Sequence, residues 1–144
     1  MNLSANTKAT LASPAAAVGT TTVVGSTLDM SGFDGVMFIL VLGTFTDGTP
    51  GVKASSGAAA NGSDKQDLLG GLSSVGVTSE VAILDVYRPL DRYVTPQIVR
   101  GGSTGAVIDA LVAIQYCASS KPTVQDATTI AQTVLVVSPA YGVA

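Results

Sequence analysis

The sequence predicts an all-β protein: a two-sheet antiparallel sandwich, with a jelly roll as its expected topology and an extended N-terminal arm. Three observations carry this prediction. Short apolar, β-branched runs recur between 16 glycines and 6 prolines, a pattern of strands joined by turns. About eight such runs follow residue 20, at sandwich spacing. A length of 144 residues is one domain's worth of chain and long enough to bury a core without disulfides.

Residues 1–20 read as the arm, because Ser13-Pro14 and the alanines after it offer little to pack and proline removes a ladder donor. Residues 21–144 then form the single domain. A first strand is expected over 20–24, and the Asp, Ser and Gly residues of 29–35 make a turn. The strongest strand is 35–43, where every residue of 36–42 is apolar and cover on both faces is expected. A short strand over 52–55 precedes 56–67, a hydrophilic stretch that reads as an exposed, mobile loop. Another short strand follows over 68–72.

Residues 81–87 alternate, with Val81, Ile83, Asp85 and Tyr87 on one face and Ala82, Leu84 and Val86 on the other. Residues 88–91 form a tight connection. In the next strand, 93–100, Pro96 predicts an edge or a bulge. Residues 101–105 read as a hairpin-type loop. The β-branched residues and flanking glycines favour strand over helix for 106–117, with Ile108, Ala110, Val112, Ile114 and Tyr116 sharing one face. A last strand is expected over 134–137, followed by a tail over 138–144.

Composition excludes several functions. Seven Lys and Arg face ten Asp and Glu, for a net charge of −3, and no basic stripe suits nucleic acid. The longest apolar run, 36–42, is far shorter than the ~20 residues of a membrane span. One cysteine, Cys117, and no histidine leave no intramolecular disulfide, Cys/His zinc site or Ser-His-Asp triad. Cys117 reads as a buried or half-buried structural thiol. No cofactor is expected. Charged residues make up only 12% of the chain, about half the usual ~25%. A surface so poorly charged guards badly against association, which predicts that part of it is covered by a partner or by further copies.

Charge concentrates at Asp85, Arg88, Asp91, Arg92 and Arg100. These residues suit a salt-bridged corner or an interface cluster; the competing reading is an active site using Asp85 or Asp91 with Arg88 or Arg92. Alternation puts Asp85 on the apolar Val81 and Ile83 face, which calls for an arginine partner. Asp109 reads as exposed on a half-solvated face. Asn61, Asp64 and Asp67 are the nearest approach to a calcium loop and lack its spacing. Asn61-Gly62-Ser63 matches a glycosylation pattern by chance. The 101–105 loop has neither the lysine nor the following helix of a phosphate loop. Tyr87, Tyr93, Tyr116 and Tyr141 could stack on sugars, though packing is their default role.

Several motifs carry a family resemblance: Asp85-Val86-Tyr87-Arg88-Pro89, Asp91-Arg92-Tyr93-Val94, Ala106-Val107-Ile108-Asp109, Ala113-Ile114-Gln115-Tyr116 and Val137-Ser138-Pro139-Ala140-Tyr141-Gly142. With Asp29-Met30-Ser31-Gly32-Phe33-Asp34-Gly35-Val36, they resemble the capsid cement, or decoration, proteins of tailed bacteriophages with HK97-type heads. The likeness runs in order over residues 20–144, and Cys117 departs from it where glycine is expected. It implies a jelly roll or related sandwich on the outer capsid surface, made in the host cytoplasm. The implied partners are the major capsid protein and the chain itself, as a homodimer or else a trimer. No catalytic residues come with it. The alternative is a glycan- or receptor-binding module of the virion.

Overall fold

The computed structural model describes residues 2–136. Two antiparallel sheets pack face to face. The front sheet has the order β1 (Lys8–Ser13), β10 (Ala106–Tyr116), β5 (Gly35–Phe45) and β8 (Val81–Tyr87), with β2 (Ala16–Gly19) also on β10. In the back sheet, β3 (Val23–Val24) and β4 (Leu28–Asp29) lie on β9 (Tyr93–Val99), followed by β6 (Gly51–Gly57) and β7 (Gln66–Ser74). One turn of helix, α1 (Leu3–Asn6), precedes β1.

If β1 with β2, and β3 with β4, are each taken as one interrupted strand, the segments run first, eighth, third, sixth in the front sheet. In the back sheet they run second, seventh, fourth, fifth. This is the jelly-roll order. The pairs β1 with β10, β4 with β9, β5 with β8 and β6 with β7 are all antiparallel. They are successive sections of one long hairpin, rolled up so that its tip is the β6–β7 turn.

The core lies between the sheets. Val36, Phe38, Leu40 and Leu42 of β5 are fully buried there, against Val52 and Ala54 of β6 and Val94 and Ile98 of β9. Met37, Ile39 and Val41 point the other way and are only half-buried. The expected cover on both faces of 36–42 is therefore corrected to one face, because a two-layer sandwich has a single interior. The face assignment of β10 is also corrected. Register shifts flank Ile108, and a bulge changes which alternate residues face inward. Ala106, Ile108, Leu111, Ala113 and Gln115 are buried, while Ala110, Val112, Ile114 and Tyr116 are half-buried on the outer face. Gln115 is satisfied inside the core by donating to the Asp29 carbonyl at 2.7 Å.

Other readings change with the topology. The arm over 1–20 is not free: β1 and β2 pair with β10, and Ala12 is buried in the core cluster. Ser13-Pro14 interrupts the strand without releasing it. Pro96 sits in an inner strand. Its carbonyl accepts from Gly25 at 2.9 Å, between β3 and β4, so its missing N–H falls where the partner strand is broken. The 101–105 loop crosses from back sheet to front and is no hairpin. The expected loop over 56–67 shortens, since β6 runs to Gly57 and β7 starts at Gln66. Residues 134–136 carry no strand, and residue 137 and the tail lie outside the described residues.

The two sides of β5 should respond differently to truncation. Phe38→Ala is expected to lower unfolding free energy by about 3–5 kcal/mol, and Ile39→Ala by about 1–2 kcal/mol, in urea titrations. Equal losses would contradict the one-sided burial.

Candidate functional site

The two outer faces of the sandwich differ in chemistry. On the back sheet, Lys53, Ser55 and Gln97 gather on Asp67. Lys53 Nζ lies 2.6 Å from its carboxylate and Ser55 Oγ donates at 2.7 Å. Gln97 Nε2 donates to Asp67 at 3.2 Å, and Thr27 shares a hydroxyl bond with Thr95 at 2.8 Å. This network fills the middle of the face; Val24 and Leu72, in register beside Gln97 and Lys53, are exposed singly at its two flanks.

The front face is apolar. Strand register places its outward side chains in rows: Val81, Val41, Ala110; then Ile83, Ile39, Val112, Leu11; then Asp85, Met37, Ile114, Ala9. Exposure rises toward β8, where Val81 is 50%, Ile83 55% and Tyr87 57% accessible. Asp85 is the single charge in these rows. Its expected arginine partner is replaced by Tyr116, whose hydroxyl donates to it at 2.7 Å. Tyr116 reaches from β10 across Gly35, where a Cβ would collide with the ring. Burial, and then the neighbouring Asp85 carboxylate, push the Tyr116 phenol above its ordinary value. Beside this pair lies a groove of about 600 Å³, floored by Ala9, Met37 and Ile114 and bordered by Leu3 and Lys121. Cys117, also at its border, is exposed, which corrects the buried reading. The chain leaves β10 through a left-handed turn at Cys117, φ 53°, and the inward position passes to Ala118.

The charged residues separate into three places. Arg88, Asp91 and Arg92 line one open cleft of about 350 Å³ with Met30, Phe33 and Asp34. Arg92 forks onto Asp29 at 2.8 and 2.7 Å, tying the start of β9 to β4. The Arg92 fork is the first cause of a lowered Asp29 pKa. Asp91 accepts from Ser56 Oγ at 3.2 Å. Arg88 lies 5.2 Å over the Tyr87 ring and Arg92 5.2 Å over the Tyr93 ring, so one face of each ring is occupied. Asp85 is outside this cleft, on the front face.

Arg100 stands apart, buried at the opposite end of β9. It donates to the Thr21 and Ala17 carbonyls at 2.8 and 2.7 Å. It pins the crossing from β2 to β3, and no carboxylate pairs with it among the described residues.

The aspartates assigned to turns act on backbone. Asp47 accepts from the amides of Ser103 and Thr104, holding the glycine-rich 101–105 loop. Gly102, φ 72°, has no room for a Cβ beside Asp47, so close approach explains that glycine. Asp64 caps Ala58 and Ala59, while Asp67 faces the back network. Among the described residues no cluster of His, Cys, Asp or Glu could hold a metal ion. Asp109 is exposed. Sequence reasoning missed Asp29 as the partner of Arg92 and Tyr116 as the partner of Asp85, because both pairings depend on register. No protein-family model matches the chain, and no curated protein matches it.

Asp29, Asp47, Asp67 and Asp126 all have carboxyl pKa values below the ordinary one, held down first by Arg92, Thr104, Lys53 and Thr128 respectively. Each therefore adds stability that is full above the unfolded value of ~3.9 and is lost as pH falls through the lower folded value. The melting temperature should drop on acidification from pH 5 to pH 2, and Asp47→Asn should flatten that drop. A pH-independent melting temperature would contradict these assignments.

Proposed function

We propose that this chain is a non-enzymatic structural protein of a phage virion. It binds the outside of the capsid as cement and stabilises the shell. Its partners are the major capsid protein and further copies of itself, and its place is the outer capsid surface after synthesis in the host cytoplasm. The observation that carries this reading is the contrast between the two outer faces. A polar network separates the exposed Val24 and Leu72 across the middle of the back sheet, while contiguous rows of Val, Ile, Met and Leu are left half-exposed on the front sheet. Contiguous exposed apolar surface of this kind marks an interaction face. The resemblance to capsid cement proteins supports the same reading.

The mechanism is mass action. A protein that binds the assembled shell but not its unfolded or dissociated subunits shifts the balance toward the shell. Many copies, each with a modest contact, attach durably through multivalency.

Empty heads stripped of the protein and then resupplied test the proposal. Wild type should co-sediment and restore heat resistance. Val112→Lys or Met37→Lys, folded by circular dichroism, should weaken co-sedimentation about tenfold or more, since burying one such side chain contributes roughly 1.5–3 kcal/mol. Gln97→Lys on the back face should bind as wild type. Unchanged heat resistance with bound protein, or no binding by wild type, would defeat the proposal.

A further inference from the structure

We infer that β8 is a self-pairing edge: two copies join their front sheets by antiparallel pairing of Val81–Tyr87 around a two-fold axis at Leu84. This rests on the reading that the chain assembles with copies of itself, and it names the surface.

The four sheet edges are treated unequally. At β1, the Ala9 amide is capped by Gln125 Oε1 at 2.8 Å and the Leu11 amide by Thr129 Oγ1 at 3.2 Å. The β3 and β4 edge is broken into two-residue pieces. The β7 edge has a register break opposite Ala54, with Gly70 in a left-handed conformation. Each is a device that blunts an edge. By contrast, β8 pairs with β5 through seven consecutive residues without a register shift, and it contains no proline or lysine. Its outer side has no partner strand among the described residues.

The bonding pattern is fixed by one contact. Arg88 donates its N–H to the Asp34 carbonyl at 2.7 Å, one step beyond the Gly35 and Tyr87 pair. Bonded positions alternate in an antiparallel ladder. Ala82, Leu84 and Val86 therefore bond toward β5, and Val81, Ile83, Asp85 and Tyr87 turn their N–H and C=O groups away from it. Pairing about Leu84 matches all four free positions, Val81 with the partner's Tyr87 and Ile83 with the partner's Asp85, for about eight backbone bonds. A shift in one direction sets Asp85 against Asp85; a shift in the other leaves Tyr87 without a strand partner.

Charge selects the same register. Glu80 and Arg88 bracket the strand, and the two-fold axis at Leu84 places each Arg88 opposite the partner's Glu80. Neither residue forms an ion pair among the described residues of one chain; Glu80 accepts only long bonds, 3.3 Å, from the Gly76 and Val77 amides through Oε2, and Arg88 lies over the Tyr87 ring. The resulting dimer joins two apolar front faces into one continuous surface, which suits a broad partner better than a single subunit does.

The test uses the full chain in sedimentation equilibrium. Wild type should show a concentration-dependent dimer. Glu80→Arg and Arg88→Glu should each weaken it about tenfold, by replacing two attractive pairs with two repulsive ones. An equimolar mixture of these two variants should recover dimer, as a heterodimer. Ile83→Pro removes an outward N–H and should abolish the dimer while keeping a cooperative melt. In hydrogen exchange, the amides of Val81, Ile83, Asp85 and Tyr87 should gain protection as concentration rises. A dimer indifferent to both reversals and to Ile83→Pro would overturn the β8 assignment and leave self-association standing. A wild-type monomer at every concentration would overturn both, while the head-binding experiment decides shell attachment separately.

Discussion

A strand that is apolar at every position can place only half of its side chains inside a two-layer sandwich, and that constraint organises this molecule. Strands β5 and β10 lie side by side at the centre of the front sheet. Their inward sets, Val36 to Leu42 on one and Ile108 to Gln115 on the other, fill the space against β6 and β9. Period-two geometry then forces Met37, Ile39, Val41, Val112 and Ile114 to the outside. No second layer covers them among the described residues. The apolar front face is thus the necessary counterpart of this core, and any account of function has to say what that face meets.

Fold class was legible because it needs only local signals. Glycine-punctuated β-branched runs located β5, β8, β9 and β10 within a few residues. Long-range pairing was not legible. Residues 1–20 look like an arm because Ser13-Pro14 and the alanines after it offer little to pack; Lys8–Ser13 becomes a strand because β10 offers it a ladder. Pro96 looks like an edge marker, yet it sits inside the back sheet because the neighbour opposite it is itself interrupted. The bulge beside Ile108 leaves no mark in residue type, and it alone moves Ala110 to the outer face.

The charged residues were legible as a group and not as pairs. Asp85, Arg88, Asp91 and Arg92 are close in sequence, but the chain passes from the front sheet to the back between them. Asp85 stays on the front face with Tyr116, and Arg92 turns to Asp29, 63 residues earlier. Only register brings such partners together. The sequence places Arg100 in the same group, and only the structure sets it apart at the far end of β9, since a guanidinium caged by carbonyls gives no signal in composition.

The low charge of the chain is sharpened by how those charges are used. Asp47, Asp64, Glu80 and Asp126 accept from nearby or facing backbone amides, and Arg100 donates to backbone carbonyls. Asp29 and Arg92 satisfy each other, as do Lys53 and Asp67. Charges engaged in this way hold loops and sheet corners in place, and they oppose contact with another molecule less than free ones do. The surface opposes association least where the apolar rows end at an unblunted strand. Solubility of one copy and adhesion of many are competing demands on the same residues. Here the back sheet meets the first with its polar network, and the front sheet leaves room for the second.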